Sequence, residues 1–313
     1  MQATNAATTS ARLDLEVQFV QKAWSQTLRT DKRLFKQLRE VSVSFPTDDR
    51  GTCVVQLGDT TVMAAVVCEV VEPSDVGGGK NGFLDFCVKY ATRSLNMERR
   101  GTVVEVTRML EAIIKTSKAL DVEALCLIPG RFVWSVRVDV TILNEAGNVT
   151  DAAAWATMAA LQHTRREEVS VHGDDIVIHP AHERNPIPLS IHHFPLAFTC
   201  ALIGSTGATA GSTGGAPVAV DFVIDPTTAE TAACAGFVTV ALNHELQVCD
   251  THKYGVADVT YPLIKGCIDA ARSLVPQLAA LMKEAMAIDE QKRIDASKAQ
   301  FLWAKKRLGV SRQ

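Results

Sequence analysis

The sequence predicts an α+β protein of two lobes, each a mixed β-sheet packed against helices. Three observations carry that expectation. The chain has 313 residues, more than the ~250 at which a single hydrophobic core usually stops growing. Each half runs in the same order, strands first and helices after, which marks segregated rather than alternating elements. Within each half the two-residue hydrophobic repeat of strands gives way to the 3.6-residue repeat of helices. The expected division is an N-terminal extension and helix over residues 1–30, a first lobe over 31–188, a second over 189–287 and a helical tail over 288–313. No residue-level repeat relates the halves.

The elements follow in chain order. After the N-terminal helix, "REVSVSF" (39–45) sets Val41, Val43 and Phe45 against polar neighbours, the alternation of a half-buried strand. In "TCVVQLGDTTVMAAVVCEV" (52–70), Gly58-Asp59 separates two β-branched runs and suits a two-residue type II′ hairpin. The glycine-rich "SDVGGGKNG" reads as a loop and "FLDFCVKY" (83–90) as a strand. A helix is expected over "GTVVEVTRMLEAIIKTSKALD" (101–121): Thr102 and Glu105 fit a capping box, Val106, Met109, Leu110 and Ile113 recur at helical spacing, and Glu111 pairs with Lys115 at i,i+4. "EALCLI" and "RFVWSVRVDVTIL" are strands joined at Pro129-Gly130, with Arg137 and Asp139 sharing the polar face of the second. "LNEAGNVTDAAAW" (143–155) then turns at Gly147 into an alanine-rich helix, with Asp151 near its start and Arg165 and Arg166 at its end, both matched to the macrodipole.

The short hairpin "VSVHGDDIVIH" and the proline-punctuated "HPAHERNPIPLSIHHFP" lead to the lobe boundary. "LAFTCALI" and "VAVDFVI" are strands around "GSTGATAGSTGGAP", which has nothing to bury and is expected to be a mobile loop. "AGFVTVALN" and "ELQVCDTH" continue the sheet. Helical signal runs from Val259 to Met286, followed by a separate charged amphipathic piece containing Trp303 and Lys305-Lys306-Arg307.

Composition narrows the function classes. A net charge of −3 carries no polybasic signature, so a histone-like binder is excluded and any nucleic-acid contact must come from a local patch. The 8 cysteines are scattered, mostly in apolar runs, without C-x-x-C spacing, which reads as reduced, buried thiols of an intracellular protein. No apolar run reaches the ~18 residues needed to span a bilayer, so a soluble protein without a membrane partner is expected.

Few residues look chemically poised. His163, His172, His179, His182 and His192-His193 invite a metal, but adjacent histidines in a strand point to opposite faces. Structural or surface histidines are the expectation, with no metal and no cofactor. A G-x-S-x-G elbow, a Walker loop and a G-x-G-x-x-G fingerprint are all missing, and Gly77-Gly78-Gly79-Lys80 lacks the Lys-Ser/Thr ending. A small-molecule kinase therefore has no phosphate loop to stand on. Arg99 and Arg100 fall just before the expected helix start at residue 101, where fixed cations are unfavourable by roughly 0.3–1 kcal/mol unless an anion visits. That site would suit a phosphodiester, but spacing alone favours a solvated turn with two surface arginines.

"PLSIHH" (188–193), "DVEALCLIPGRFVWSVRVDVTILNEAGNVTDAA" (121–153) and "GDTTVMAAV" (58–66) together resemble the RNase PH family, and within it the ring subunits of the eukaryotic RNA exosome. The resemblance covers residues 31–286. It implies two RNase PH lobes in a six-membered ring around an RNA channel, with RNase PH-like paralogues as neighbours and KH-type cap proteins above. It also implies a catalytic exoribonuclease as partner, single-stranded RNA as cargo, and residence in nucleus, nucleolus and cytoplasm. By similarity Arg93, Arg99, Arg100 and Arg108 face the RNA path.

Departures from the family pattern argue against catalysis. Catalytic members bind inorganic phosphate with a glycine turn carrying an arginine, and use paired aspartates in the second lobe. Here the turn reads Gly147-Asn148-Val149-Thr150-Asp151, so Thr150 replaces the guanidinium and Asp151 adds a carboxylate, read as an N-cap occupying the helix end. Asp225 matches the first acidic position, but the second holds Thr231, preceded by Glu230. The N-terminal Asp-Gly-Arg signature reads Asp31-Lys32-Arg33. The expectation is a non-catalytic scaffold that guides RNA. The competing reading is a phosphorolytic or metal-assisted 3′ exoribonuclease in which Asp225 and Glu230 share a site with another subunit.

Overall fold

In the computed structural model, which describes residues 2–46, 50–73, 80–92, 97–203 and 222–307, the alternating patterns of the first half become one sheet. An N-terminal helix α1 (Gln2–Ser25) precedes β1 (Val41–Ser44), β2 (Thr52–Leu57), β3 (Thr60–Val71) and β4 (Phe83–Tyr90). Helix α2 (Met97–Leu110) continues into a π-helical segment, Glu111–Thr116, and is followed by β5 (Cys126–Ile128) and β6 (Phe132–Asn144). The order is β1-β2-β3-β6-β4, with β5 on β6, and only the β4/β6 pair is parallel because α2 supplies the crossover it needs. Gly58 alone of the two β2–β3 turn residues has positive φ, as a type II′ turn demands. Along β6, Trp134, Val136, Val138, Val140 and Ile142 point into the core, while Arg137 and Asp139 pair on the other face at 3.3 Å.

Helix α3 (Val149–His163) is buried on all sides and packs between this sheet and the second one. Its alanines let both sheets approach closely, and Trp155 Nε1 donates to the Ala197 carbonyl at 2.8 Å. Arg165 donates to the carbonyls of Gln162 and Thr164, closing the helix C-terminus with the expected cation. Two short two-stranded pieces follow: β7 (Arg165–Arg166), which pairs with β10 (Ile187–Pro188), and the hairpin of β8 (Glu168–His172) with β9 (Asp175–His179). The second sheet has the order β12-β11-β13-β14, from β11 (Leu196–Leu202), β12 (Phe222–Ile224), β13 (Gly236–Leu242) and β14 (Val248–Gly255), with the short helix α4 (Thr228–Ala233) between β12 and β13. Helix α5 (Tyr261–Arg307) closes it, burying Leu263, Cys267, Ala271, Val275, Leu278 and Met282 along one stripe.

Several expectations are corrected. The second sheet is antiparallel throughout its described strands, not mixed, because no crossover helix joins neighbouring strands there. Helix α2 begins at Met97, so Thr102 and Glu105 lie inside it and cap nothing, and Arg99 and Arg100 belong to its first turn. Lys115 reaches the Leu84 carbonyl at 3.3 Å instead of pairing with Glu111, since the π-helical stretch alters the i,i+4 stacking. His192 and His193 are not in a strand; they follow an isolated bridge at Ile191. The charged tail is continuous with α5, which passes unbroken through Pro276. Helix α4 went unforeseen. The glycine run 77–79, Arg93, the loop 204–217 and the tail side chains from Phe301 onward lie outside the described residues or side chains.

Among the described residues no helix is long and apolar enough to cross a membrane, and no group of His, Cys, Asp and Glu is placed to hold a metal ion. His163 is a structural histidine: its Nδ1 accepts from the Gly51 amide at 3.2 Å and its Nε2 lies 3.0 Å from Asp289 of α5. The expectation of buried thiols is met by Cys53, Cys200 and Cys267, is only partly met by Cys68, Cys126, Cys234 and Cys249, and fails at Cys87, which β4 turns to its exposed face.

Candidate functional site

The quoted glycine turn is where the two sheets meet. Gly147 has φ +90°, and a Cβ there would lie 2.6 Å from the Pro226 carbonyl oxygen, so only glycine lets the 145–148 turn and the 225–228 turn touch. Asn148 takes the left-handed conformation (φ 52°, ψ 48°) and α3 starts behind it. Arg39 ties the two turns together. Its guanidinium donates to the carbonyls of Ala146 (2.9 Å) and Gly147 (3.0 Å) and, from the other edge, to Asp225 (2.7 and 2.9 Å); its backbone amide adds a further bond to Asp225 at 2.9 Å. Arg33 Nη1 and Asn148 Nδ2 complete the Asp225 shell at 2.9 and 3.0 Å.

Asp225 is thus fully buried, and burial pushes its carboxyl up, yet the bonds and charge of Arg39 outweigh that and hold it below the usual carboxylate range. Glu230 is equally committed. It receives both Nε and Nη2 of Arg29, and its backbone and side chain form a capping box with Thr227 at the start of α4. The two acidic side chains that a shared exonuclease site would use are therefore neutralised by arginines of the same chain.

Asp151 is not the N-cap the sequence suggested. It stands at the third position of α3 with its carboxylate turned into the protein, where it accepts from the Thr199 amide and hydroxyl (both 2.7 Å) and from Asn148 Nδ2 (2.8 Å). Complete burial raises its pKa to about 7; the Asn148 and Thr199 bonds pull the other way and the Asp225 charge adds to the rise. Thr199 on β11 holds this carboxylate by offering it two buried donors, an amide and a hydroxyl.

In front of α3 opens a cleft of about 210 Å³. Asn148, Thr150, Thr199, Thr239 and Thr231 give it neutral polar atoms, Glu105 and Glu145 give it carboxylates, and Phe237 and Tyr254 give it rings. Among the described residues neither lysine nor arginine lines it. Among the described residues His252 is the sole potential cation on its wall; burial raises the Glu105 pKa and the His252 charge partly reverses the rise. An oxyanion entering here would meet helix amides and hydroxyls but also two carboxylates, so the N-terminal field of α3 is opposed from across the cleft.

The four expected RNA-contacting arginines are placed unevenly. Arg93 lies outside the described residues. Arg99 is at the cleft rim, its guanidinium 5.1 Å from the Tyr90 ring centroid and its Nε 3.9 Å from Glu145. Since Thr102, Glu105 and Met109 turn to the cleft, a spacing of about 100° per residue puts Arg99 and Arg108 on the two flanks of that face and Arg100 on the opposite one. Arg100 and Arg108 are exposed. Sequence reasoning missed Arg29, Arg39 and Thr199. Arg39 stood in view as a polar neighbour of β1, but nothing local shows that its partner lies 186 residues away.

Comparison with known proteins agrees with this geometry. Residues 37–167 match the model of the 3′ exoribonuclease family, domain 1, and residues 193–273 match domain 2 of that family. The chain is 35% identical over 277 residues to exosome complex component RRP45A of Arabidopsis thaliana, covering 87% of this chain and 86% of that one. It is 31% identical over 291 residues to RRP45 of Bos taurus, covering 92% of this chain, and it spans 63% of that relative's length. RRP45 of Schizosaccharomyces pombe is 30% identical over 280 residues, with 88% and 91% covered. Among solved structures, an archaeal exosome core superposes with a TM-score of 0.71 at 21% identity, covering 88% of this chain and 99% of that one. An Archaeoglobus fulgidus exosome with RNA bound to the active site gives 0.70 at 22%, covering 86% and 98%. With both domains of that family matched in this order and a relative 35% identical over 86% of its length, the chain belongs to the RNase PH family of 3′ exoribonuclease-type proteins.

Proposed function

We propose that this chain is a non-catalytic RNase PH-like subunit of an exosome core ring. In that role it packs against RNase PH-like paralogues, supports KH-type cap subunits and passes single-stranded RNA toward a separate 3′–5′ exoribonuclease. One observation carries the reading: the cleft at the α3 N-terminus, where catalytic relatives hold phosphate, has carboxylates and, among the described residues, no lysine or arginine on its walls. The names of the RRP45 relatives and the fold of the exosome cores support the ring assignment. A phosphorolytic site built on Asp225 and Glu230 is disfavoured because Arg39 and Arg29 already neutralise them.

Co-expression with RNase PH-like paralogues, followed by mass determination of the purified species, tests the assembly. A defined hetero-oligomer is expected, and a persistent lone monomer would contradict it. Incubating that assembly with single-stranded RNA, phosphate and magnesium tests the chemistry. No nucleoside diphosphate attributable to this subunit is expected.

A further inference from the structure

The Ile191-His192-His193 run takes no part in the cleft. His192 and His193, in the β10–β11 connection, and His244, in the β13–β14 turn, together line two adjoining cavities of about 230 and 400 Å³. The smaller is largely apolar, with Ile191, Phe194, Met282 and Met286 on its walls beside Lys283. The larger is polar, with Ser117, Asn243 and Gln247. The histidines are held in place. His193 Nε2 lies 3.2 Å from Ser117 Oγ and His192 Nε2 lies 3.8 Å from Asp121. The turn carrying His244 is braced by Asn243 Oδ1, which accepts from the amides of Glu245 (3.0 Å) and Gln247 (2.8 Å).

An apolar compartment and a polar one that share three imidazoles select a ligand with a flat apolar end, an anionic group beside it and hydroxyls beyond. We propose that this double cavity is a nucleotide-binding site, with the base between Phe194 and Met282 and the phosphate against His192, His193, His244 and Lys283. A base gains apolar and sulfur–ring contacts in the first compartment, the phosphate gains charge-assisted bonds from imidazolium, and Asn243 and Gln247 offer both donors and acceptors to the ribose. The site goes beyond the scaffold role and does not depend on it.

The electrostatics set the direction of its pH dependence. Burial, and after it the neighbouring His192 and His244, hold His193 below the ordinary histidine value, so His193 resists protonation until an anion arrives. Asp121, Glu245 and the Cys249 thiol also face the trio from their own elements, and Lys283 faces it from α5. Two carboxylates therefore oppose an incoming phosphate and one ammonium favours it, which leaves the imidazoles to decide. Binding takes up protons and tightens as pH falls.

The test is titration of the full chain with adenosine 5′-monophosphate at about pH 6 and about pH 8, on either side of the ordinary histidine pKa. Saturable binding, at least about tenfold tighter at the lower pH, is expected, with the imidazole resonances of His192 and His244 shifting. Adenosine alone and inorganic phosphate alone are each expected to bind about tenfold more weakly. The paired substitution His193→Gln with His244→Gln is expected to abolish the pH dependence, and His192→Gln alone, at an exposed position, to weaken binding with an unchanged Tm. Failure to saturate at millimolar nucleotide, equal affinity at both pH values, or binding indifferent to these substitutions would each overturn the proposal.

Discussion

Arg29 and Glu230, 201 residues apart in the chain, meet in a two-pronged ion pair, Nε to Oε1 at 2.9 Å and Nη2 to Oε2 at 2.6 Å, with neither side chain exposed to solvent. The pair anchors the segment after α1 to the β12–α4 turn. Removing one partner leaves a buried charge without its counter-ion. Arg29→Ala is therefore expected to destabilise the fold by about 3–5 kcal/mol in urea unfolding, whereas Arg29→Met combined with Glu230→Met costs much less. Equal losses in the single and double variants would refute this account of the pair.

Lys32 occupies the middle of the turn where the family signature has glycine, and it has adopted the glycine conformation, with φ +64°. A side chain in that region costs about 1–2 kcal/mol, while glycine adds roughly 0.5–1 kcal/mol of unfolded-state freedom. Lys32→Gly is expected to stabilise the chain by up to about 1 kcal/mol, read as a rise in the urea midpoint. A clear loss of stability would mean that the lysine side chain makes a compensating contact.

Asp151 gives a stability profile of unusual sign. Burial raises its pKa in the folded protein to about 7 from 3.8, so between those values the native state holds a proton that the unfolded chain has released. Stability contributed by protonated Asp151 is present below the unfolded value and is lost as pH rises through the folded one. Compared with Asp151→Asn, the parent chain should therefore weaken from about pH 4 to about pH 7. Parallel pH profiles for the two proteins would show that this carboxyl stays ionised throughout.

Arg99 and Arg108 flank the cleft face of α2, and phosphate contacts made there would be independent of sequence. In the assembled ring, Arg108→Ala is expected to weaken single-stranded RNA binding evenly across sequences and to lower the slope of log K against log salt by roughly 0.7. Anisotropy titrations at several salt concentrations measure both. Sequence-dependent weakening, or an unchanged slope, would remove Arg108 from the RNA path.

Much of the fold was legible because period and turn chemistry act locally. Val41 and Val43, the Gly58-Asp59 hairpin and the alternation along β6 each specify their own backbone. The starts of helices were less legible. The capping box at Thr102 and Glu105 competed with an α2 that begins five residues earlier, and Asp151 looked like a cap until Thr199, 48 residues on, claimed its carboxylate. The site was half legible: the missing arginine at Thr150 could be read from the turn itself. That Asp225 and Glu230 are neutralised could not, since Arg39 and Arg29 reach them only after the two sheets close on α3.

The central claim is that the α3 N-terminus no longer holds inorganic phosphate. Amide chemical shifts of Asn148, Val149 and Thr150, followed during a phosphate titration at constant ionic strength, test it most directly. The account predicts no saturable movement of these amides up to about 10 mM phosphate, because the helix amides and neutral hydroxyls there face two carboxylates. Saturation below about 1 mM centred on these three amides would show an intact oxyanion site and contradict it.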